Sequence, residues 1–302
     1  MRIGMSLADQ TGPDALTALR DQLRQAADDG FASAWLSNIF GLDALTALAV
    51  AGSEVPGIEL GTAVVPTYPR HPAVLAQQAL TAALAVGGRL VLGIGLSHQM
   101  VIDDMYGYSF ERPARHMREY LSILLPLLNG DDADFDGETM RARIGLSVPR
   151  TGRVPVLLAA MAPAMLRLAG QRADGTVLWM TGPATVRDYI APAIRQAAED
   201  AGRPAPRVVC ILPVCVTDDP DQARTRAARI FAIYGQLPSY RAMLDREGAA
   251  GPADLAITGD EDRVGGQIMA LAEAGVTDFV AGEFGSGEDA SRTRALLKSL
   301  IR

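Results

Sequence analysis

GIELGTAVVPTYPRHPAVLAQQALTAALAVGGRLVLGIGLSH, residues 57–98, holds one complete repeat of the fold. An apolar strand pattern, a turn bounded by prolines, an amphipathic helical stretch and a second apolar strand pattern follow one another within it. Both strand patterns are apolar at successive positions rather than alternate ones, as in strands buried on both faces of a parallel sheet. The second stops at Gly93-Ile94-Gly95, where glycine lets something approach the backbone closely. With Ala63-Val64-Val65 closing the first, a flat and mostly apolar ligand would find small groups to lie across.

Outward from this unit, apolar runs alternate with helical periodicity along the chain. Strand patterns fall at residues 2–7, 31–37, 58–64, 90–94, 154–159, 176–180, 208–216 and 277–281. Helical patterns follow at 13–29, 43–53, 73–86, 112–128, 162–171, 184–201, 220–234 with 261–274, and 288–301. Eight βα repeats predict an α/β fold, the (β/α)8 TIM barrel, as a single domain over residues 1–302. Two intervals are long, 97–153 after strand 4 and 235–260 after the strand 7 helix, and are expected as insertions covering the mouth. Within the first, DFDGETMRARIGLSV (134–148) predicts a hairpin; within the second, 238–244 predicts a short helix.

Composition excludes several classes. Hydrophobic residues make up 49% and charged residues 21%, which predicts a large buried core. A net charge of −7 with no basic run argues against nucleic acid as a partner. The chain enters a strand pattern at MRIGMSL without an apolar leader and has no run long enough to span a bilayer, so a cytoplasmic protein with no membrane association is expected. Cys210 and Cys215 lie five apart in one strand pattern, facing opposite sides, and cannot pair there. Of 28 basic residues only Lys298 is lysine, near the end of the last helix, which leaves no strand-end lysine for Schiff-base chemistry. His71, His98 and His116 lack ligand spacing, so no metal site is expected.

The ends of barrel strands carry the chemistry of this fold. Here they offer Ser37-Asn38-Ile39, Val64-Val65, Gly95-Leu96-Ser97-His98, Ala159-Ala160-Met161 and Met180-Thr181-Gly182, a set poor in acids and bases. Reactivity then has to be imported. A redox cofactor supplies it, because hydride transfer asks the protein mainly for orientation and exclusion of water.

The chain resembles the bacterial luciferase-like flavin and deazaflavin oxidoreductases along essentially its whole length. The resemblance rests on Leu60-Gly61-Thr62-Ala63-Val64 with Arg70-His71-Pro72, on Gly88-Arg89 leading into Leu92-Gly93-Ile94-Gly95, on Pro155 to Ala160, on Ala173-Asp174-Gly175 and on Thr181-Gly182-Pro183. It is most similar to the branch that uses coenzyme F420, a deazaflavin, including methylenetetrahydromethanopterin reductases. The resemblance implies a non-proline cis peptide at Ala63-Val64 and coenzyme F420 as cofactor, with FMN the alternative. It places the cofactor ring over Val64 and the end of strand 4, and the phosphate near Met161, Ala162, Thr181 and Gly182. Asn38, Ile39, Ala63, Gly95, Ser97, Ala160 and Met180 complete the implied cofactor contacts. It also implies a homodimer acting on a small-molecule substrate.

Each of these residues has a plainer reading. Val64 and Val65 would also close a strand as core residues, and Asp174 caps local backbone in a turn. Thr181-Gly182-Pro183 offers a phosphate backbone donors at a helix start, or simply ends a strand. Gly-Ile-Gly-Leu-Ser-His lacks the third glycine of a dinucleotide loop. Glu283 is read as a partner for an arginine across the mouth. Alcohol- and sugar-phosphate-oxidising relatives end strand 2 in Asp-His, whereas this chain has Asn38-Ile39 and so lacks that general base. They carry a glutamate where His98 stands; His98 is expected either to donate a proton as the catalytic residue or to be a hydrogen-bonded structural group. The expected function is hydride transfer between reduced deazaflavin and a C=C, C=N or C=O carbon. An FMN-dependent monooxygenase, or a flavin-binding member without catalysis, is the alternative.

Overall fold

Strands apolar on both faces need cover on both, and closing the sheet into a barrel provides it. The computed structural model describes residues 1–8 and 10–301. Its wall consists of β1 (Arg2–Ser6), β2 (Ser33–Leu36), β3 (Glu59–Thr62), β4 (Leu90–Gly95), β5 (Val156–Leu158), β6 (Gly175–Trp179), β7 (Arg207–Val216) and β8 (Asp278–Glu283). Each is parallel to the next, and β8 pairs with β1 through Gly4 opposite Val280, so the (β/α)8 barrel closes. Beyond Thr62 the Ala63-Val64 peptide is cis, at the position the resemblance implies. The chain then pairs Val65 and Pro66 with Ile94 and Gly95.

Alternate strand residues fill the two sides of the wall. Trp35, Val91, Leu157, Val177, Val209 and Val280 pack together inside the barrel, while Ile3, Leu60, Leu92, Leu158, Cys210 and Phe279 face the helical layer. Gly61 makes room for the largest interior group: a Cβ there would stand 2.2 Å from the Trp35 ring. The Trp35 indole N–H is satisfied by Ser33 Oγ at 2.9 Å. Both cysteines are buried and unpaired.

The amino ends of the strands are closed by charge. Arg207 donates to Glu59 (2.8 Å) and to Asp278 (2.9 Å), and Arg2 bridges the same two carboxylates. Burial alone would raise the Asp278 carboxyl; hydrogen bonds and charge from Arg207, with help from Thr277 and Arg2, hold it below its ordinary range. Asp174 donates no chemistry to the site: it accepts from the amide of Val156 at 2.9 Å and pairs with Arg203, tying the starts of β5 and β6.

Helices return the chain between strands, close to the expected ranges. The helix expected over 184–201 runs as Pro183–Thr185, a π turn at Val186–Ile190, and Ala191–Asp200; Pro192, which has no amide hydrogen, sits just past the wide turn. The last helix, Glu288–Ser299, starts beyond the carboxyl end of β8 and runs back, bringing Lys298 to Asp29 at 2.6 Å. Glu283 points outward to Arg294 of that helix (2.8 Å), not across the mouth, because its parity on β8 is that of Phe279. Among the described residues no helix is long and apolar enough to cross a membrane.

The insertions divide differently from expectation. Ala133–Asp136 and Arg141–Ile144 form the antiparallel hairpin, but it packs along the helix Pro113–Asn129 rather than over the mouth. Glu119 of that helix grips its tip, accepting from the amides of Glu138 (3.1 Å), Thr139 (2.8 Å) and Met140 (3.0 Å) and from the Thr139 hydroxyl (2.7 Å). Only the start of this insertion reaches the mouth. The second does cover it, through the helix Pro238–Glu247, joined by the 3-10 turn Ala232–Gly235 just ahead of it. An additional short strand, Ile257–Gly259, adds to the outer end of β7.

Candidate active site

A cavity of about 710 Å³ opens at the carboxyl ends of the strands. One wall is aliphatic. Ala63 and Val64 project into it after β3, flanked by Leu7 and Ile39. Val64 is also wedged over β4: a Cβ at Gly95 would lie 2.7 Å from Val64 Cγ2, and one at Gly93 would lie 2.0 Å from the Thr62 carbonyl oxygen. The two glycines therefore admit the neighbouring strand's own backbone and Val64, and Gly95 lies beneath Val64 rather than at the cavity surface. Gly95, an expected cofactor contact, is therefore not among the residues lining the cavity.

After β4 the chain turns at Ser97, whose φ of +62° lies in the left-handed region. That turn delivers Ser97 and His98 to the cavity. Burial pushes the His98 imidazolium below its ordinary pKa, so the ring is neutral at pH 7. Asn38 also lines the cavity, but its Oδ1 accepts from the amide of Ala44 at 2.9 Å and so anchors the start of the next helix. Ile39 is 51% exposed and faces the same space.

Part of the lining is aromatic, and sequence reading missed it. His98 lies 5.5 Å from the Tyr240 ring, Tyr240 is 5.1 Å from Tyr234 at 87°, and Tyr234 is 5.6 Å from Trp179 at 71°. The two tyrosine contacts, Tyr240 with Tyr234 and Tyr234 with Trp179, are edge-to-face and suit ring quadrupoles. Trp179 ends β6, Tyr234 stands just ahead of the second insertion and Tyr240 lies within it. The signal was Phe231, Tyr234 and Tyr240 clustered in a chain with only 5% aromatic residues.

The remaining expected contacts do not meet this cavity. Ala160, Met180 and Thr181 are buried in the wall, and the Met161 carbonyl accepts from the Tyr189 hydroxyl at 2.9 Å. Ala162 caps the helix Pro163–Arg172. Gly182 faces a separate cavity of about 340 Å³. The helix start beyond it is already filled: Glu247 accepts from the amides of Ala184 (3.0 Å) and Thr185 (2.7 Å), and a Cβ at Gly182 would come within 2.3 Å of that carboxyl carbon. A carboxylate from the second insertion thus occupies the donors that sequence reading offered to a phosphate. The reason is invisible locally, since Glu247 stands 65 residues downstream of Gly182.

Below the mouth, His116 is buried against the Tyr68 ring (3.8 Å, 6° between planes), with Nε2 3.0 Å from the Thr67 hydroxyl. Burial, only partly opposed by the Glu119 carboxylate, pushes its pKa down to about 4.

The family model described as luciferase-like monooxygenase matches residues 1–287. The chain belongs to this family. Among relatives of this luciferase-like protein, the 5,10-methylenetetrahydromethanopterin reductase of Methanolobus tindarius is 26% identical over 298 residues, covering 89% of this chain and 91% of the reductase. The F420-dependent glucose-6-phosphate dehydrogenase of Mycolicibacterium fortuitum is 29% identical over 254 residues, covering 79% and 71%. Among solved structures, the coenzyme F420-dependent tetrahydromethanopterin reductase of Methanopyrus kandleri superposes with a TM-score of 0.82 over 99% of this chain and 98% of that one, at 22% identity. The superposition establishes that the luciferase-like barrel is shared.

Proposed function

We propose that this luciferase-like barrel is a coenzyme F420-dependent oxidoreductase, working on one domain to transfer hydride to or from a small organic molecule at a C=C, C=N or C=O carbon. The observation that carries the reading is the cavity at the strand ends. It is large, has an aliphatic wall centred on Val64, and among the described lining residues has no lysine, arginine, aspartate or glutamate. The name of the F420-dependent glucose-6-phosphate dehydrogenase among the relatives points to the same cofactor.

The residues present fit the ring of the cofactor. Ala63, Val64 and Ile39 offer it an apolar face, and Trp179 Nε1 is a buried donor with no acceptor among the described residues, which a polar edge of the ring would satisfy. They do not offer the phosphate the Gly182 turn, which Glu247 holds; Met161 and Ala162, ahead of the helix Pro163–Arg172, remain for the charged tail. Coenzyme F420 supplies a ring that accepts and gives up hydride. The chain's part is to orient the substrate between that ring and the aromatic wall, to exclude water, and to move a proton at His98. We also infer a cytoplasmic homodimer.

Side-by-side titration tests the cofactor. Coenzyme F420 is expected to bind at micromolar Kd or tighter, about −8 kcal/mol. Saturable FMN binding with no response to the deazaflavin would establish the monooxygenase alternative instead.

A further inference from the structure

We propose that the cavity selects an uncharged, ring-bearing carbonyl compound, and that the arc of rings His98, Tyr240, Tyr234 and Trp179 does the selecting. This rests on the hydride-transfer reading above and narrows it to a substrate class. The four rings come from separate segments, the turn after β4, the end of β6, the 3-10 turn Ala232–Gly235 and the helix Pro238–Glu247, yet each stands 5.1 to 5.6 Å from the next between centroids. They line the same cavity as Val64 and Ile39. A planar substrate lying between the cofactor ring and this arc presents its face or edge to aromatic surface on one side throughout.

Charge argues the same way. A phosphate or carboxylate entering a mostly apolar cavity gives up much of its water and needs a cation or a set of amides in return. Among the described residues lining this cavity there is no lysine or arginine, although the chain has 28 basic residues in all. Arg70, four residues beyond the lining residue Pro66, is drawn away by an ion pair with Asp43. The amides at Ala184 and Thr185 are spent on Glu247. What the cavity does offer is a few neutral polar groups, among them Ser6, Ser97 and the neutral His98, enough to meet one carbonyl oxygen. On reduction the substrate would gain one hydride, from the reduced deazaflavin that is thereby oxidised, and one proton, from water by way of His98.

The test is calorimetric titration with a matched pair of ligands, benzalacetone and cinnamate, which share a styrene and differ by a neutral methyl ketone against a carboxylate. Both are titrated into the cofactor-free protein and into protein loaded with coenzyme F420. The ketone is expected to bind at least tenfold more tightly at pH 7.5. Tyr240→Phe is expected to keep that preference, Tyr240→Leu to weaken the ketone at least fivefold, and Tyr240→Arg to bring the two ligands within twofold; thermal melts establish that each variant is folded. Equal or tighter binding of cinnamate to the folded wild type, with or without cofactor, overturns the proposal. Failure of coenzyme F420 to bind sinks the cofactor reading instead, and the cofactor-free titrations still decide what the cavity selects.

Discussion

In the proposed reaction, proton handling falls to His98 and Ile39, which both line the cavity. A neutral His98 beside the acceptor donates poorly; its imidazolium donates well but becomes populated only on the acid side of its lowered pKa. Reductive turnover is therefore expected to rise as pH falls from neutrality through the region below 6.5, and His98→Ala to flatten that rise and reduce kcat by about 10² to 10⁴-fold. Unaltered kcat and an unaltered pH profile in the variant would return His98 to a structural role. By the family resemblance Ile39 takes the place of the base of alcohol-oxidising relatives, and isoleucine cannot accept the hydroxyl proton that must leave with hydride. Reduction of activated double bonds should exceed oxidation of secondary alcohols or glucose 6-phosphate by at least 100-fold, about 2.7 kcal/mol in transition-state stabilisation. Rapid cofactor reduction by any of those alcohols in a spectrophotometric panel would contradict this account of Ile39. At this scale the sequence was readable wherever a residue's neighbours in the chain decide its place: Val64, Ser97 and His98 reach the cavity because a strand end carries them there. Trp179 and Tyr240 were not readable, since what makes them a wall is their approach from distant segments.

Elements were legible by period and length. Two-sided apolar runs between amphipathic helices specify the repeat, and the hairpin announces itself by Asp-Gly between alternating residues. Where the hairpin and the second insertion pack was not legible, because single carboxylates fix both. Glu119 holds its pKa below the usual range: burial works against it, but hydrogen bonds from Thr139 and Met140 and the charge of Arg115 outweigh burial. Glu119→Ala leaves three amides without their acceptor and is expected to cost about 1–3 kcal/mol. Its signature should be local: faster hydrogen exchange and proteolysis in Ala133–Asp136 and Arg141–Ile144, with exchange in the barrel strands little changed. Uniform acceleration over the whole chain would show that the hairpin is part of the global folding unit instead.

For the whole molecule, acid should act through histidine before it reaches the carboxylates. His116 has a folded pKa of about 4 against an unfolded value near 6.5, so the unfolded chain binds the extra proton between them. Stability is full above about pH 6.5 and falls as pH drops toward 4, by on the order of 3 kcal/mol at most. Urea denaturation across that window should show the decline, and His116→Gln should reduce its slope; an identical slope would assign the decline to other groups. The barrel as a whole was legible because its closure follows from repeat number, whereas the charged floor of Arg2, Glu59, Arg207 and Asp278 joins residues up to 276 positions apart. The chain's near-exclusive use of arginine has a practical side. Lys298 is its only lysine side chain, 47% exposed, and its bond to Asp29 ahead of β2 puts it at the floor, opposite the cavity. Coupling a bead or sensor chip through that amine would seat every molecule floor-down, leaving the mouths facing the bulk solution in one common orientation.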